Sequence, residues 1–303
     1  LAESNLFLIS AGGPGALSFN EFNPLFNRNG VNFQTTALAG ENNTYAGEGV
    51  LSGIYQKSAF SLGGFHFQTD GWRNNADQND SIANAFLQFE LSPQTSIQGE
   101  VRRRETTRGD IQQKFFPNLF APGLTDKIDN YSVRLGGRHS FAPDSIILGS
   151  FMFQDRQEDQ KTVSPGVLIA GELPQKAFGT ELQHIFRARN FNVTSGLGYF
   201  DVDGKFGLKI RAPLFAFDKT SDFGAQHFNA YTYGNVSISN DATLTVGGSF
   251  DYLDRASDAL SDGNVRQFNP KFGLTWNVLP TTTIRAAAFR SLKRTLITDQ
   301  TLE

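Results

Sequence analysis

The sequence predicts an all-β fold, an antiparallel transmembrane up-and-down β-barrel, and three observations lead there. Segments of about ten residues alternate apolar with polar or small side chains, the period-two signature of a strand with two unlike faces. This alternation recurs about thirteen times, which gives about 13 strands visible in the 303 residues. The gaps between segments are by turns very short and very long, as in bacterial barrels whose short turns face the periplasm and whose long loops face outside.

Composition narrows the alternatives. Only 39% of the chain is hydrophobic, and no apolar run approaches the roughly 18 residues that a membrane helix requires. The 30 glycines and 29 phenylalanines suit closely paired strands with aromatic residues where lipid meets water. No cysteine is present, so neither a disulfide scaffold nor a thiolate metal site exists. A net charge of −3, with the basic residues spread along the chain, argues against nucleic acid as a partner. The first ten residues lack the features of a signal peptide, which an outer-membrane protein needs, so the chain reads as mature or as a fragment.

An irregular lead-in, residues 1–29, precedes the barrel, which occupies 30–303. Strands are expected over 31–38, 47–55, 60–68, 82–91, 96–105, 130–141 and 146–154. They continue over 178–187, 191–200, 228–238, 243–252, 268–278 and 283–289. Pro93, Pro143 and Pro280 fall in short turns, where a fixed φ helps and no ladder hydrogen bond is lost. Long loops are expected over 106–127, 155–175 and 201–226. Thirteen passes end the chain on the loop side, and an even strand number is the bacterial norm. At least 14 strands are therefore expected in the whole protein, the barrel being incomplete at its C-terminal end.

The two faces separate cleanly. Ala83, Ala85, Leu87, Phe89 and Leu91 share one face, while Asn84, Phe86, Gln88 and Glu90 share the other. Leu244, Val246, Phe250 and Tyr252 oppose Thr243, Thr245, Ser249 and Asp251 in the same manner. Carried along the chain, this phase puts Arg102, Arg104, Arg134, Arg138, Arg187, Lys271 and Arg285 on the wet, lumen-lining face. Glu48, Glu90, Glu100, Glu181 and Asp251 stand beside or opposite them. Such a surface selects anionic or polyhydroxylated cargo, or its charges pair across strands and fix the shape of the barrel. Phe65 with Phe67 and Tyr231 with Tyr233 share faces, as packing and girdle residues or as stacking surfaces for sugars. Phe115, Phe116 and Phe120, in a long loop, offer contact to a partner or fold inward as a constriction.

Catalytic chemistry is not expected. His66, His139, His184 and His227 lie far apart without ligand spacing, and the Asp-rich stretch 70–80 lacks the order of a calcium loop. Gly12-Gly13-Pro14-Gly15 lacks the strand, helix and Lys of a phosphate loop. No Ser/His or Asp/His constellation for an outer-membrane hydrolase can be assembled, so no enzyme, cofactor or metal site is expected.

Several strings carry a resemblance: FNEFNPLF (19–26), YAGEGVLSGIY (45–55), TDGWRNNADQ (69–78), RRRET followed by RGD (102–110), APDSIILGSF (142–151) and NPKFGLTWNVLPTTTIRAAAFRSLKR (269–294). They resemble a family of bacterial proteins in which a tetratricopeptide-repeat array precedes a barrel similar to those of TonB-dependent receptors. The resemblance implies a bacterial outer-membrane location, a periplasmic repeat region before Leu1 and further strands after Glu303. It departs from true TonB-dependent receptors, which carry a plug domain of well over about a hundred residues before the first strand. A repeat region joined to a barrel is also similar in plan to exopolysaccharide export porins.

Three functions follow as expectations. The first is a transport conduit for a polar solute or polymer. The second is a surface-anchoring or adhesion barrel whose long loops bind an extracellular polymer or filament. The third is TonB-dependent nutrient uptake with the plug encoded upstream. The expected partners are outer-membrane lipid and the repeat region of the same protein.

Overall fold

The computed structural model describes residues 29–112, 118–257 and 263–292. Its strands are β1 (Gly30–Gly40), β2 (Thr44–Tyr55), β3 (Ser58–Thr69), β4 (Gln78–Ser92), β5 (Thr95–Arg108), β6 (Leu124–Ala142) and β7 (Ser145–Ser164). They continue as β8 (Val167–Arg187), β9 (Phe191–Ala212), β10 (Phe215–Ser237), β11 (Ala242–Ser257), β12 (Gly263–Leu279) and β13 (Thr282–Phe289). All pair with their sequence neighbours in one 13-stranded antiparallel sheet, and β1 and β13 are its open edges. The expected strand count and up-and-down order are those of the structure.

Local chemistry fixes the turns. Asn42 and Asn43 both adopt positive φ in the three-residue turn 41–43 after β1, a conformation Asn tolerates. At the opposite end, the pairing slips by one residue between Glu90 and Ser92, Ser140 and Ala142, and Asn277 and Leu279. Each slip leaves an extra residue (Leu91, Phe141 or Val278) just before a turn that contains Pro93, Pro143 or Pro280. A one-residue bulge of this kind strengthens the twist and re-aims the chain.

The structure corrects the expected loops at 155–175 and 201–226. Residues 201–226 are the distal halves of β9 and β10, 22 and 23 residues long, joined by Pro213 and Leu214 alone. Residues 155–175 likewise extend β7 and β8, which turn through Pro165 and Gly166 at φ +77. Charged and polar side chains interrupt the alternation in these stretches: Phe206, Leu208 and Ile210 alternate with Lys205, Gly207, Lys209 and Arg211 on β9, but Asp218-Lys219-Thr220-Ser221-Asp222 on β10 has no apolar residue. Lys205–Asp222 and Arg211–Asp218 pairs, together with the ladder, hold β9 to β10 there.

One face carries an apolar band of constant height. It runs from Ala83 to Leu91 on β4, Phe178 to Phe186 on β8, Phe191 to Tyr199 on β9, Phe228 to Val236 on β10, and Leu244 to Tyr252 on β11. Nine residues rise about 27 Å along a strand, the span a tilted membrane strand needs. Aromatic rows edge the band. Phe153, Phe178, Tyr199, Phe228 and Tyr252 follow one another across β7 to β11 on the side of the longer connections, with Phe178 and Tyr199 rings 5.7 Å apart. Phe186 and Phe191, 5.9 Å apart, mark the other edge. Ion pairs begin directly beyond the first row, at Asp155–Lys176 and Arg103–Asp129.

Candidate functional site

The opposite face is polar and more buried, and hydrogen bonds tie it from strand to strand. Asp80 on β4, 1% exposed, accepts from Arg104 Nε at 3.0 Å and Nη2 at 2.6 Å, and from Thr106 Oγ1 at 3.0 Å. The register sets Asp80 opposite Thr106 and Ile82 opposite Arg104, so the guanidinium reaches back by one pair and grips both carboxylate oxygens. Beside this cluster, Glu100 lies opposite Arg134, with their charged atoms 3.6 Å apart, and Arg102 shares the phase.

Further round the sheet, side chains skip a strand. Tyr231 on β10 lies across Gly196 of β9, donates from its hydroxyl to Glu181 Oε1 on β8 at 2.5 Å, and accepts from Gln183 Nε2 at 2.8 Å. A Cβ at Gly196 would stand 2.5 Å from Tyr231 Cζ, so only glycine lets the ring pass. Three strands meet again at Asp251, which faces His227 Nε2 at 2.8 Å and accepts from Asn269 Nδ2 at 2.6 Å and Ser249 Oγ at 3.1 Å. His227 is 2% exposed and Asn269 1%. Lys271 Nζ sits 4.3 Å from the Tyr233 ring, which is itself stacked on Tyr231.

Every charged residue singled out from the sequence lies on this phase, in varied company. Arg102, Arg134 and Glu100 gather; Arg104 turns to Asp80, Glu181 to Tyr231, and Asp251 to His227. Arg138, Arg187, Arg285 and Glu90 are exposed at the end with the short turns. Sequence reasoning missed Asp80, which it left in a loop, and His227, which it read as isolated. The phase of β10, shared by Tyr231 and Tyr233, carries His227 to the same face and was the available signal. Among the described residues, no group of three His, Asp or Glu side chains gathers to hold a metal.

At the rim of the longer connections, two loops lock together. Arg73 of the 70–77 loop donates to the carbonyls of Asp110 and Gln112 at 2.8 and 2.9 Å, and lies against the rings of Trp72 and Phe120. Asp110, 1% exposed, accepts from the Ala121 amide at 2.9 Å, and Asn75 Nδ2 donates to the carbonyls of Ala121 and Leu124. A side chain at Gly109 would stand 2.2 Å from the Asn75 carbonyl oxygen, so the loops close only over glycine. Phe120 thus packs against Arg73, whereas Phe115 and Phe116 lie outside the described residues. Beyond the band, the Arg211 hydrogen bond holds the Asp218 carboxyl below its ordinary range, and Glu172 raises the Lys209 ammonium in the same way.

Solved structures share this architecture. The ferric yersiniabactin uptake receptor FyuA from Yersinia pestis superposes with a TM-score of 0.71 at 15% identity, over 83% of this chain and 45% of that one. The copper transporter OprC gives 0.73 at 11% identity, over 86% and 46%. The ferric-catecholate import receptor Fiu from E. coli K12 gives 0.71 at 10% identity, over 89% and 56%. The chain therefore spans about half the length of these proteins. No protein-family model matches it, and no curated protein does. Strand order and antiparallel pairing are thus the fold that these outer-membrane barrels share.

Proposed function

We propose that this chain is wall of an outer-membrane barrel that transports a polar solute or polymer, with its apolar band against lipid and its polar face lining the lumen. One observation carries the reading: among the described residues thirteen strands pair in sequence and the first does not meet the last. Side chains fill a barrel of about eight strands, whereas about sixteen or more enclose a channel or a plugged lumen. A wall this wide bounds space that its own side chains do not fill. The likeness to two uptake or import receptors and a copper transporter supports solute transport as the task.

In this reading residues 30–303 are barrel, and Arg102, Arg104, Arg134, Arg138, Arg187, Lys271, Arg285, Glu90, Glu100, Glu181 and Asp251 line the lumen. Those with close partners, such as Arg104 and Asp251, stiffen the wall, and the exposed ones at the short-turn end meet cargo. A tetratricopeptide-repeat region of the same protein stands in the periplasm, where it collects or delivers that cargo. The full-length protein in planar lipid bilayers tests the proposal, with discrete conductance steps as the expected result. If a plug is encoded upstream, as in energy-coupled uptake, steps appear only after its deletion. A full-length protein that stays in solution without detergent, or that conducts neither intact nor without its plug, overturns it.

A second reading, adhesion, has its own observation. β7 to β10 run 20 to 23 residues, about twice a membrane crossing, and so raise paired hairpins above the band. An extracellular polymer or filament could rest on them. Shortening β9 and β10 by deletion of 205–222 should then abolish retention of that partner and leave conductance intact.

A further inference from the structure

We infer that the apolar face binds one anionic phospholipid, with an acyl chain in a groove across β7 to β12 and the phosphate on Arg266. The groove has a volume of about 490 Å³ and is lined almost wholly by carbon. Leu182, Leu197, Phe250 and Phe268 line it together with the small residues Ala230 and Gly248. The depth depends on Gly248, where an added Cβ would approach Phe268 Cζ to 3.0 Å. Between the two aromatic rows the surroundings are hydrocarbon, so an acyl chain is the molecule at hand. A concave strip gives such a chain contact on several sides, where a flat wall gives contact on one.

Phe268, the lining residue on β12, lies two residues along that strand from Arg266 on the same face. The Arg266 guanidinium lies over the ring of Tyr252, its partner in the register, 5.4 Å from the centroid. It therefore stands at the edge of the band on the side of the longer connections, at the height of phosphate groups. On the same face Asp254, opposite Asn264, lies further from Phe268 than Arg266 does, so the first charge beyond Phe268 is positive. A guanidinium at this level recognises phosphate by charge-assisted hydrogen bonds.

This inference rests on the outer-membrane reading and is tested separately from it. Full-length protein in detergent is mixed with phosphatidylglycerol or with phosphatidylcholine of the same chains, and bound lipid is counted by native mass spectrometry. One phosphatidylglycerol per chain should remain, preferred about fivefold, the weight of one basic residue at an anionic surface. Arg266→Gln should bring the two lipids to parity, and Ala230→Phe should empty the site of both. Leu135→Phe, which adds bulk to the exposed face away from the groove, should change nothing. Equal retention by Ala230→Phe and the unchanged protein, or a preference that survives Arg266→Gln, overturns the site. A protein that needs no detergent defeats the outer-membrane reading instead.

Discussion

Leu182 tests the assignment of the two faces most directly. It is 52% exposed and lies four residues from each aromatic edge of the band on β8, Phe178 and Phe186. Four residues rise about 13 Å along the strand, which a tilt of about 40° turns into about 10 Å of depth from either interface. Arginine there meets hydrocarbon near the midplane and should cost about 2–4 kcal/mol relative to alanine, roughly 30- to 700-fold in the unfolding equilibrium. Ser150 provides the control: it pairs with Glu181 on the polar face at nearly the same depth. Ser150→Arg gains a carboxylate neighbour and should fall within about 1 kcal/mol of the unchanged protein. Phe186→Arg, at the band's edge, should cost about 0–1 kcal/mol relative to Phe186→Ala. Guanidinium unfolding of the full-length protein in phospholipid vesicles, followed by tryptophan fluorescence, measures all of these. If Leu182→Arg costs no more than Ser150→Arg, the face called lipid-exposed is not, and the argument from alternation fails.

Three further outcomes follow from the wall. Asp80→Ala leaves the half-buried Arg104 without its bidentate partner and should destabilise by about 2–4 kcal/mol; a paired Asp80→Leu/Arg104→Met change should restore most of that in the same unfolding assay. Gly196→Val places a side chain where the Tyr231 ring lies and should cost about 1–3 kcal/mol, with the Tyr231–Glu181 bridge lost from the structure of the variant. Because Asp218 is depressed in the folded hairpin, its pairing with Arg211 holds above the ordinary carboxylate range and is lost as pH falls through the depressed value. NMR titration should show the Asp218 midpoint below that of a free aspartate and returned toward it by Arg211→Gln.

The strands that cross the band were legible because burial there is one-sided. Water or polar wall on one side and hydrocarbon on the other impose strict alternation, and a one-residue slip would invert every face. That is why Leu244 to Tyr252 and Phe268 to Val278 could be assigned before any coordinates, with Arg104 and Asp251 already on the polar side. The distal parts of β7 to β10 escaped where that contrast is missing. Asp218-Lys219-Thr220-Ser221-Asp222 carries no apolar residue on either face, so nothing in its order distinguishes a paired strand from a loop.

The sequence by itself determined the fold class, the strand order and which side chains share a face, since these follow from period and spacing alone. Only the tertiary structure decided which of those side chains meet. The reach of Tyr231 over Gly196 to Glu181, the meeting of His227, Asp251 and Asn269, and the clasp of Arg73 on Asp110 join residues 18 to 50 positions apart. Such contacts depend on register, on glycine gaps in the intervening strand and on two loops settling against each other. Local pattern encodes the faces of a strand; it does not encode what the neighbouring strand leaves room for.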